Sequence, residues 1–559
     1  MKKKILTLIS CGIILGPNSF AQEEMKTEWT HKYDHKTQRV GTGLEGPNEL
    51  SYIATDKEIT VFKTSDGSVK WSKKFKEITP NLKKIDEFVP FWESNCLFAF
   101  DKKLGKDKLA VIDMESGKVL WESSTYQGLT EQSIEYIAEK KGFILSLQES
   151  INFVDARTGE EKWSTSQFIG SIGQYLFEEG DLIALNVAPT ALKAFFGKFK
   201  PQLARIDLSN GDIKWTTKYF GIPERKVVTG ERIYDLSKQG GKLFLELNGI
   251  QVFDFNTGAT LWNAAYDATP NVPKPGTVKY YGNISGYVTI GVYETTAKPL
   301  RVGDAVYIVE TTKKRDQKIK KYDYNTGKLI WSSTEIKGAK CIPNLFVKGD
   351  KVVIQIGGAV EYQGRYMGVT KDANTGTITR SYSDRVYYKN IKPNGLQAFN
   401  VNDGTLAWDT EKFKKGITNA FSEGENIYVS SGKALYSIVA ANGKVNYEVD
   451  VKNGGVGNAT QIKKYKDKII VIGEKGVSAF NQANGKFAYG NKYKKSDPIK
   501  QTNNILLMVT EKNDFAAFNL EDCSYVKYNA KKDSQQTLSE DGKFVWAYEK
   551  KEVTKLKTH

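Results

Sequence analysis

The chain has 559 residues, a formal net charge of +16, 49 glycines and 14 prolines. A length beyond roughly 250–300 residues excludes a single ordinary hydrophobic core and favours several domains or a repeat array. With 40% hydrophobic and 12% aromatic residues the chain is not disordered, and abundant glycine with little proline is typical of a turn-rich β protein.

The first predicted element is a secretion signal over residues 1–21. It opens with three lysines, continues as an apolar run and ends in Ser19-Phe20-Ala21, a small-x-small cleavage site. We therefore expect export to the periplasm or to the outer membrane. A lipid anchor at Cys11 is disfavoured because the apolar run continues past it, and no later stretch has the ~18–20 apolar residues that a membrane span needs.

A short motif then recurs along residues 22–559: an apolar strand, a turn with Asp or Asn followed by Gly, and a second strand ending on Trp. Ile250–Trp262, with the sequence IQVFDFNTGATLW, is a clear copy. Two strand-period segments around a Gly turn predict a β-hairpin. The tryptophans of the motif are Trp71, Trp121, Trp163, Trp215, Trp262, Trp331 and Trp408, and the turn glycines before the last six are Gly117, Gly159, Gly211, Gly258, Gly327 and Gly404.

The spacing of the motif predicts an all-β propeller of four-stranded blades. Most copies are separated by 39 to 52 residues, which is the period of propeller blades, and weaker copies continue to the end of the chain. Glu28–Lys32 reads as a lone fourth strand, while residues 535–556 supply three strands without a fourth. We therefore expect the N-terminal strand to close the ring. The count is ten to eleven blades and at least eight; the alternative is two smaller propellers.

The pattern apolar-x-apolar-Asp-x-x-Thr/Asn-Gly-x-x-x-Trp resembles the PQQ-type, or quinoprotein-like, β-propeller repeat, most closely in Ile250–Trp262 and Ile319–Trp331. The resemblance implies that the Trp packs between adjacent blades and that the Asp and Gly shape the turn. Family enzymes use PQQ with Ca²⁺, a catalytic aspartate and commonly a vicinal disulfide. The chain has no adjacent cysteines and no haem motif, so the resemblance points to the non-enzymatic scaffold branch, to which a subunit of the outer-membrane β-barrel assembly machinery belongs.

Candidate catalytic and metal-ligating residues are scarce. There are only three histidines in the chain, which argues against a Ser-His-Asp triad or a multi-His metal site. Cys96, Cys341 and Cys523 are too widely spaced for a metal motif, and the sequence does not say whether any two of them form a disulfide. We therefore predict no catalytic residue, no metal site and no cofactor.

Two departures from the repeat are candidate binding segments, because function tends to lie on loops that a rigid scaffold positions. The Trp262–Trp331 interval has 69 residues and the Trp331–Trp408 interval has 77, which places long insertions at about 265–318 and 358–393. Both are rich in Tyr and Arg, which anchor protein interfaces. The candidate partner-binding residues are Tyr280, Tyr281, Tyr287, Arg315, Tyr362, Arg365, Tyr366, Arg380, Tyr382, Arg385, Tyr387 and Tyr388. Since the insertions belong to consecutive blades, they are expected to form one raised edge.

The sequence thus predicts a protein-binding scaffold of the bacterial envelope that has no catalytic activity. The positive charge also allows an anionic surface or a glycan as a partner, whereas the secretion signal argues against nucleic acid. Two alternatives stay open at this point: a PQQ/Ca²⁺-dependent quinoprotein dehydrogenase and a glycan-binding propeller.

Overall fold

The computed structural model describes residues 23–559 except 45–48, 56, 84, 104–105, 130, 148, 169–170, 188–200, 220–234, 247–248, 268–284, 294, 372–377, 411–412, 414, 511 and 532–533. The predicted secretion signal and Cys11 lie outside the described residues.

Within the described residues, the chain folds into eleven antiparallel sheets of the type expected for propeller blades. Each blade has an inner strand a, two middle strands b and c, and an outer strand d. In the order a to d, blade 1 consists of Arg39–Thr42, Leu50–Ala54, Glu58–Lys63 and Val69–Lys74, and blade 2 of Glu87–Phe91, Cys96–Asp101, Lys108–Asp113 and Val119–Ser123. Blade 3 consists of Ile134–Ile137, Gly142–Ser146, Ile151–Asp155 and Glu161–Thr165, and blade 4 of Ser171–Glu178, Asp181–Val187, Leu203–Asp207 and Ile213–Thr217.

Blade 5 consists of Asp235–Gln239, Lys242–Glu246, Gly249–Asp254 and Thr260–Ala265, and blade 6 of Leu300–Val302, Ala305–Thr311, Gln317–Asp323 and Leu329–Ser332. Blade 7 consists of Asn344–Lys348, Lys351–Lys371, Ile378–Asn400 and Leu406–Asp409, and blade 8 of Phe421–Glu423, Asn426–Ser431, Ala434–Val439 and Val445–Asp450. Blades 9 to 11 consist of Ala459–Tyr465, Lys468–Gly473, Gly476–Asn481 and Phe487–Lys492; Ser496–Thr502, Ile505–Thr510, Phe515–Asn519 and Tyr525–Tyr528; and Gln535–Leu538, Phe544–Glu549, Glu552–Lys557 and Thr27–Lys32.

Three further kinds of element complete the described fold. Strand Ser285–Tyr293 pairs with strand b of blade 7, and Glu23–Glu24 adds in parallel to strand d of blade 10. The helical segments are short: the α-helix Phe75–Ile78 and the 3₁₀ turns Glu131–Ser133, Ala138–Lys140 and Val451–Gly454. Among the described residues there is no helix that is both long and apolar enough to span a membrane.

The tryptophan of each motif joins one blade to the next, as the repeat implies. Trp121 of blade 2 packs on Gly159 of the next blade, and its indole Nε1 donates to the Ala156 carbonyl oxygen at 3.1 Å. Trp163 repeats the arrangement on Gly211 and donates to Leu208 at 2.9 Å. A buried Trp supplies a large apolar body and one N–H that needs an acceptor, so each contact fixes both the spacing and the register of neighbouring blades.

The hydrophobic core is divided among the blade interfaces. Each of eleven buried clusters combines residues of two consecutive blades, and the last cluster joins blade 11 to blade 1. The described residues therefore form one closed ring, and the alternative of two smaller propellers is wrong.

The predicted ring closure is confirmed. Thr27–Lys32 pairs antiparallel with Glu552–Lys557 and supplies the fourth strand of blade 11. At the seam between blades 11 and 1, Trp29 Nε1 donates to the Ser65 carbonyl at 2.8 Å and Trp546 Nε1 donates to the Thr64 carbonyl at 3.2 Å. Closure pairs the edge strand that would otherwise stay open at the C-terminal blade.

Candidate functional site

The two faces of the ring differ sharply in their connections. On one face, which we call the turn face, every described c–d connection of blades 1 to 10 has five residues. On the other face, which we call the loop face, the b–c and d–a connections include 188–202, 218–234, 266–299 and the tip 372–377. Because variable loops on a rigid scaffold carry binding functions, the loop face is the candidate functional surface.

The aspartates of the turn face are structural. Asp254 Oδ1 accepts hydrogen bonds from the backbone N–H of Thr257 at 2.8 Å and from that of Asn256 at 3.0 Å. These bonds, led by the Thr257 N–H, hold the pKa of Asp254 below its usual value. Asp323 makes the same contacts with Asn325 and Thr326. In both aspartates Oδ1 accepts the bonds that close the turn, which is the ordinary structural role of Asp at such a position.

The two predicted insertions meet in one sheet on the loop face. Strands b and c of blade 7 continue beyond the ring as a long hairpin that stays paired as far as Lys371 and Ile378. The strand Ser285–Tyr293 belongs to the connection between blades 5 and 6, and it pairs antiparallel with residues 361–368 of this hairpin. We call residues 285–293, 358–371 and 378–391 the arm. At about 3.3 Å per residue, its hairpin extends roughly 45 Å from the ring.

Two glycines form the bend where the arm leaves blade 7. Gly357 and Gly358 have φ angles of +68° and +108° at a break in the strand register. A Cβ on Gly357 would lie 2.0 Å from the Pro393 carbonyl oxygen, and one on Gly358 would lie 2.2 Å from Gln355 Nε2. Only glycine fits these two positions, so the sequence itself determines where the arm begins.

Most candidate partner-binding residues lie on the arm strands. By backbone register Tyr362 is opposite Tyr387, and Tyr366 is opposite both Ser383 and Tyr287. The remaining arm positions from the prediction are Arg365, Arg380, Tyr382, Arg385 and Tyr388. Tyr280 and Tyr281 lie outside the described residues.

Arg315 is not part of the arm. It lies in the b–c turn of blade 6 with a φ of +69°, and its backbone N–H donates to the Thr312 carbonyl. The first insertion is accordingly shorter than predicted. Residues 300–318, which the spacing assigned to it, build strands a and b and the start of strand c of blade 6. A three-residue strand a is too short to show the alternation that would have revealed it.

A pocket of about 250 Å³ lies at the root of the arm, between blades 6 and 7. Asn394 lines it, is 2% exposed, and among the described residues has no hydrogen-bond partner for either its side-chain oxygen or its nitrogen. Glu335, Lys337 and Asp409 also line it. A buried amide without partners calls for water or a ligand group that both donates and accepts. Sequence reasoning missed Asn394, because nothing in the residues around it marks a buried amide.

Within the described part of the chain, no group of three or more His, Cys, Asp or Glu could hold a metal ion. Cys96, Cys341 and Cys523 are buried and free. Burial raises the pKa of the Cys341 thiol to about 12, so it stays protonated at neutral pH.

Comparison with known proteins places the ring in a family. The model of a family described as outer membrane protein assembly factor BamB matches residues 26–217 and 392–553, more than half of the chain. The chain belongs to this family. The matched segments flank residues 218–391, and this intervening part holds the whole arm together with blades 5 and 6.

The solved structures that resemble this chain do so at low sequence identity. The crystal structure of BamB from Moraxella catarrhalis is similar at 14% identity and a TM-score of 0.29, covering 69% of this chain and 93% of that one. The computationally designed Ika8 protein is similar at 11% identity and a TM-score of 0.32, covering 70% and 96%. A comparison with curated proteins found no match.

Proposed function

We propose that the protein is an exported scaffold of the bacterial envelope, in the periplasm or at the outer membrane, and that it binds a protein partner through the arm without catalysis. One observation carries the proposal: two insertions from different blades pair into a single sheet on the loop face. The family match supports an envelope role, and the predicted signal at residues 1–21 supports export.

The composition of the arm suits a protein interface. Tyr and Arg are enriched among the residues that contribute most to binding energy, and the arm strands hold many of both. The Asn394 pocket at the arm root adds a donor–acceptor pair that matches a peptide amide. A partner lying along the arm would therefore meet aromatic anchors along its length and a buried amide at its base.

The test is affinity purification from the native envelope followed by mass spectrometry. The decisive variant replaces residues 361–388 with Asn-Gly, which joins Val360 to Lys389, already paired across the hairpin. We expect partner recovery to fall at least about tenfold while the melting temperature of the ring is kept.

A second variant separates lost contacts from lost shape. Thr in place of Tyr362, Tyr366, Tyr382 and Tyr387 keeps high strand propensity but removes the aromatic anchors, so it should also lose the partner. Full partner recovery by both variants, or stoichiometric PQQ and Ca²⁺ binding with dye-linked alcohol oxidation, would contradict the proposal.

A further inference from the structure

Four lysines surround a pocket of about 300 Å³ on the loop face, between blades 8 and 9. They are Lys433, Lys452, Lys475 and Lys492, and the other lining residues are Gly455, Gly457 and Tyr493. We propose that this lysine pocket binds a phosphate-bearing group, either a soluble phosphate compound or the headgroup of an anionic lipid. The site is separate from the arm, so it stands independently of the proposed partner binding.

The blade period brings the lysines together. Lys433 and Lys475 are 42 residues apart and occupy the b–c turns of blades 8 and 9. Lys452 and Lys492 are 40 residues apart and lie where strand d ends in the same two blades. Each blade thus contributes one lysine from its b–c turn and one from the end of strand d, and both pairs face the same pocket.

The four lysines at the pocket outnumber the nearby carboxylates, although Asp450 interacts electrostatically with both Lys452 and Lys433. Lys433, Lys475 and Lys492 form no ion pair within the part of the chain that the structure describes, whereas Lys452 pairs with Asp450 at 3.1 Å. Glu474 is the other nearby carboxylate and lies beside Gly457. Like charges that converge on a concavity repel one another, and an anion with several oxygens relieves that repulsion by bridging them.

Backbone caps and packed side chains build the frame of the pocket. Asp450 caps the 3₁₀ turn Val451–Gly454 by accepting from the Lys452 N–H at 2.8 Å. Gly455, with a φ of +70°, lets the Lys492 side chain cross the loop, since a Cβ there would lie 2.3 Å from Lys492 Cε. Tyr493 is 8% exposed and packs edge-on against buried aromatic rings of blade 10.

Phosphate fits this geometry better than a run of carboxylates. A lysine ammonium is a compact point charge with three donors, and a phosphate presents three strong acceptor oxygens at one centre. Four lysines that line one pocket suit a single multivalent anion, whereas the carboxylates of an acidic peptide are spread along its chain. The pocket volume also leaves room for the group that carries the phosphate.

The experiment compares two double variants of the full mature protein. Lys433→Gln with Lys475→Gln alters the pocket. Lys444→Gln with Lys486→Gln is the matched control, because these exposed lysines occupy the c–d turns of the same two blades on the turn face. Both variants lose the same net charge, so only a localised site distinguishes them.

Binding is measured with pyrophosphate by calorimetry and with phosphatidylcholine vesicles, with or without phosphatidylglycerol, by sedimentation. The pocket variant should bind at least about tenfold more weakly and the control should match the unaltered protein. Pyrophosphate binding would identify a soluble source of the phosphate, and binding only to vesicles with phosphatidylglycerol would identify a lipid headgroup. Equal losses in both variants, no binding of either probe, or preferential binding of polyglutamate would overturn the proposal.

Discussion

The contact between Trp and Gly at each blade interface makes a quantitative prediction for Gly159→Ala. Gly159 has a φ of +69° and lies against Trp121 of the preceding blade. An added Cβ would lie 2.5 Å from Trp121 Cδ2 and 2.6 Å from Cγ, well inside van der Waals contact. Either the indole or the turn must then move, and the Trp121 hydrogen bond to Ala156 holds both in place.

Two terms set the expected loss of stability. An alanine in the left-handed region costs roughly 1–2 kcal/mol, and forcing extra volume into a packed site costs about 1–3 kcal/mol. Gly349→Ala is the matched control, since its φ is +55° but nothing lies within 4 Å of the added Cβ. We therefore expect Gly159→Ala to lower the free energy of unfolding by about 2–5 kcal/mol and Gly349→Ala by only about 1–2 kcal/mol.

Urea unfolding followed by tryptophan fluorescence measures both variants. In a Trp121→Ala background the clash disappears, so Gly159→Ala should then cost no more than the control substitution. Equal losses for Gly159→Ala and Gly349→Ala in the unaltered protein would refute the packing argument and leave only the backbone term.

Three further predictions concern other parts of the ring. Burial, together with Asp235 opposite on the neighbouring strand, raises the pKa of Glu246 to about 7. Because the folded state holds this proton more tightly than the unfolded state, the free energy of unfolding should fall by at most about 3 kcal/mol as pH rises from about 4.5 to about 7. Urea unfolding of Glu246→Gln, measured over the same pH range, should lack this fall. Cys523, with a φ of +56°, occupies the position that glycine holds in the other turns, so its side chain leaves less room for an indole. Tyr489→Trp should therefore lower the urea midpoint of unfolding, and adding Cys523→Gly should restore that midpoint. Deleting residues 22–32 should reopen blade 11 and cause concentration-dependent association, measured by light scattering.

The periodic part of the fold could be predicted because each hairpin encodes its own turn and its own contact with the next blade. Asp254, Gly258 and Trp262 stand in one short segment, so the motif is visible without knowledge of the rest of the chain. The ring closure could be predicted for a similar reason, since a lone strand at one end matches a missing strand at the other. Local signals repeated along the chain were enough to fix the architecture.

The arm could be predicted only in part. The extra length and the Tyr-rich composition of the two insertions are visible in the sequence, but the pairing of Ser285–Tyr293 with blade 7 skips over blade 6. No local signal specifies such a distant partner. The lysine pocket was missed for a different reason: its lysines look scattered until their spacing is compared with the blade period, which puts Lys433 and Lys475 in equivalent turns.

The interface between blades 5 and 6, where the arm's first strand leaves the ring, departs from the repeat. Trp215 donates to the carbonyl of Phe255 at 3.0 Å, but the equivalent Trp262 Nε1 is buried and has no partner in the part of the chain that the structure describes. Tyr324 is the first residue of the c–d turn of blade 6, the position that Phe255 occupies in blade 5.

The side chain of Tyr324 compensates at this interface. Its hydroxyl donates to Gln239 Oε1 at 2.5 Å, and the Arg301 guanidinium lies 3.3 Å from the centre of its ring. An unpaired buried N–H costs about 1–3 kcal/mol, while a cation–π contact from an exposed arginine such as Arg301 returns about 0.5–1 kcal/mol. At this interface the regular indole hydrogen bond is thus replaced by the contacts that Tyr324 makes with Gln239 and Arg301, which lie on the inner strands of blades 5 and 6. The chain stays packed on the ring beyond Trp262, because Tyr266 is buried in the cluster between blades 5 and 6 and the Asp267 carbonyl accepts from the Thr311 N–H of blade 6 at 2.5 Å. The arm's first strand, which begins at Ser285, is therefore inserted after the interface between blades 5 and 6 has been formed by strand d.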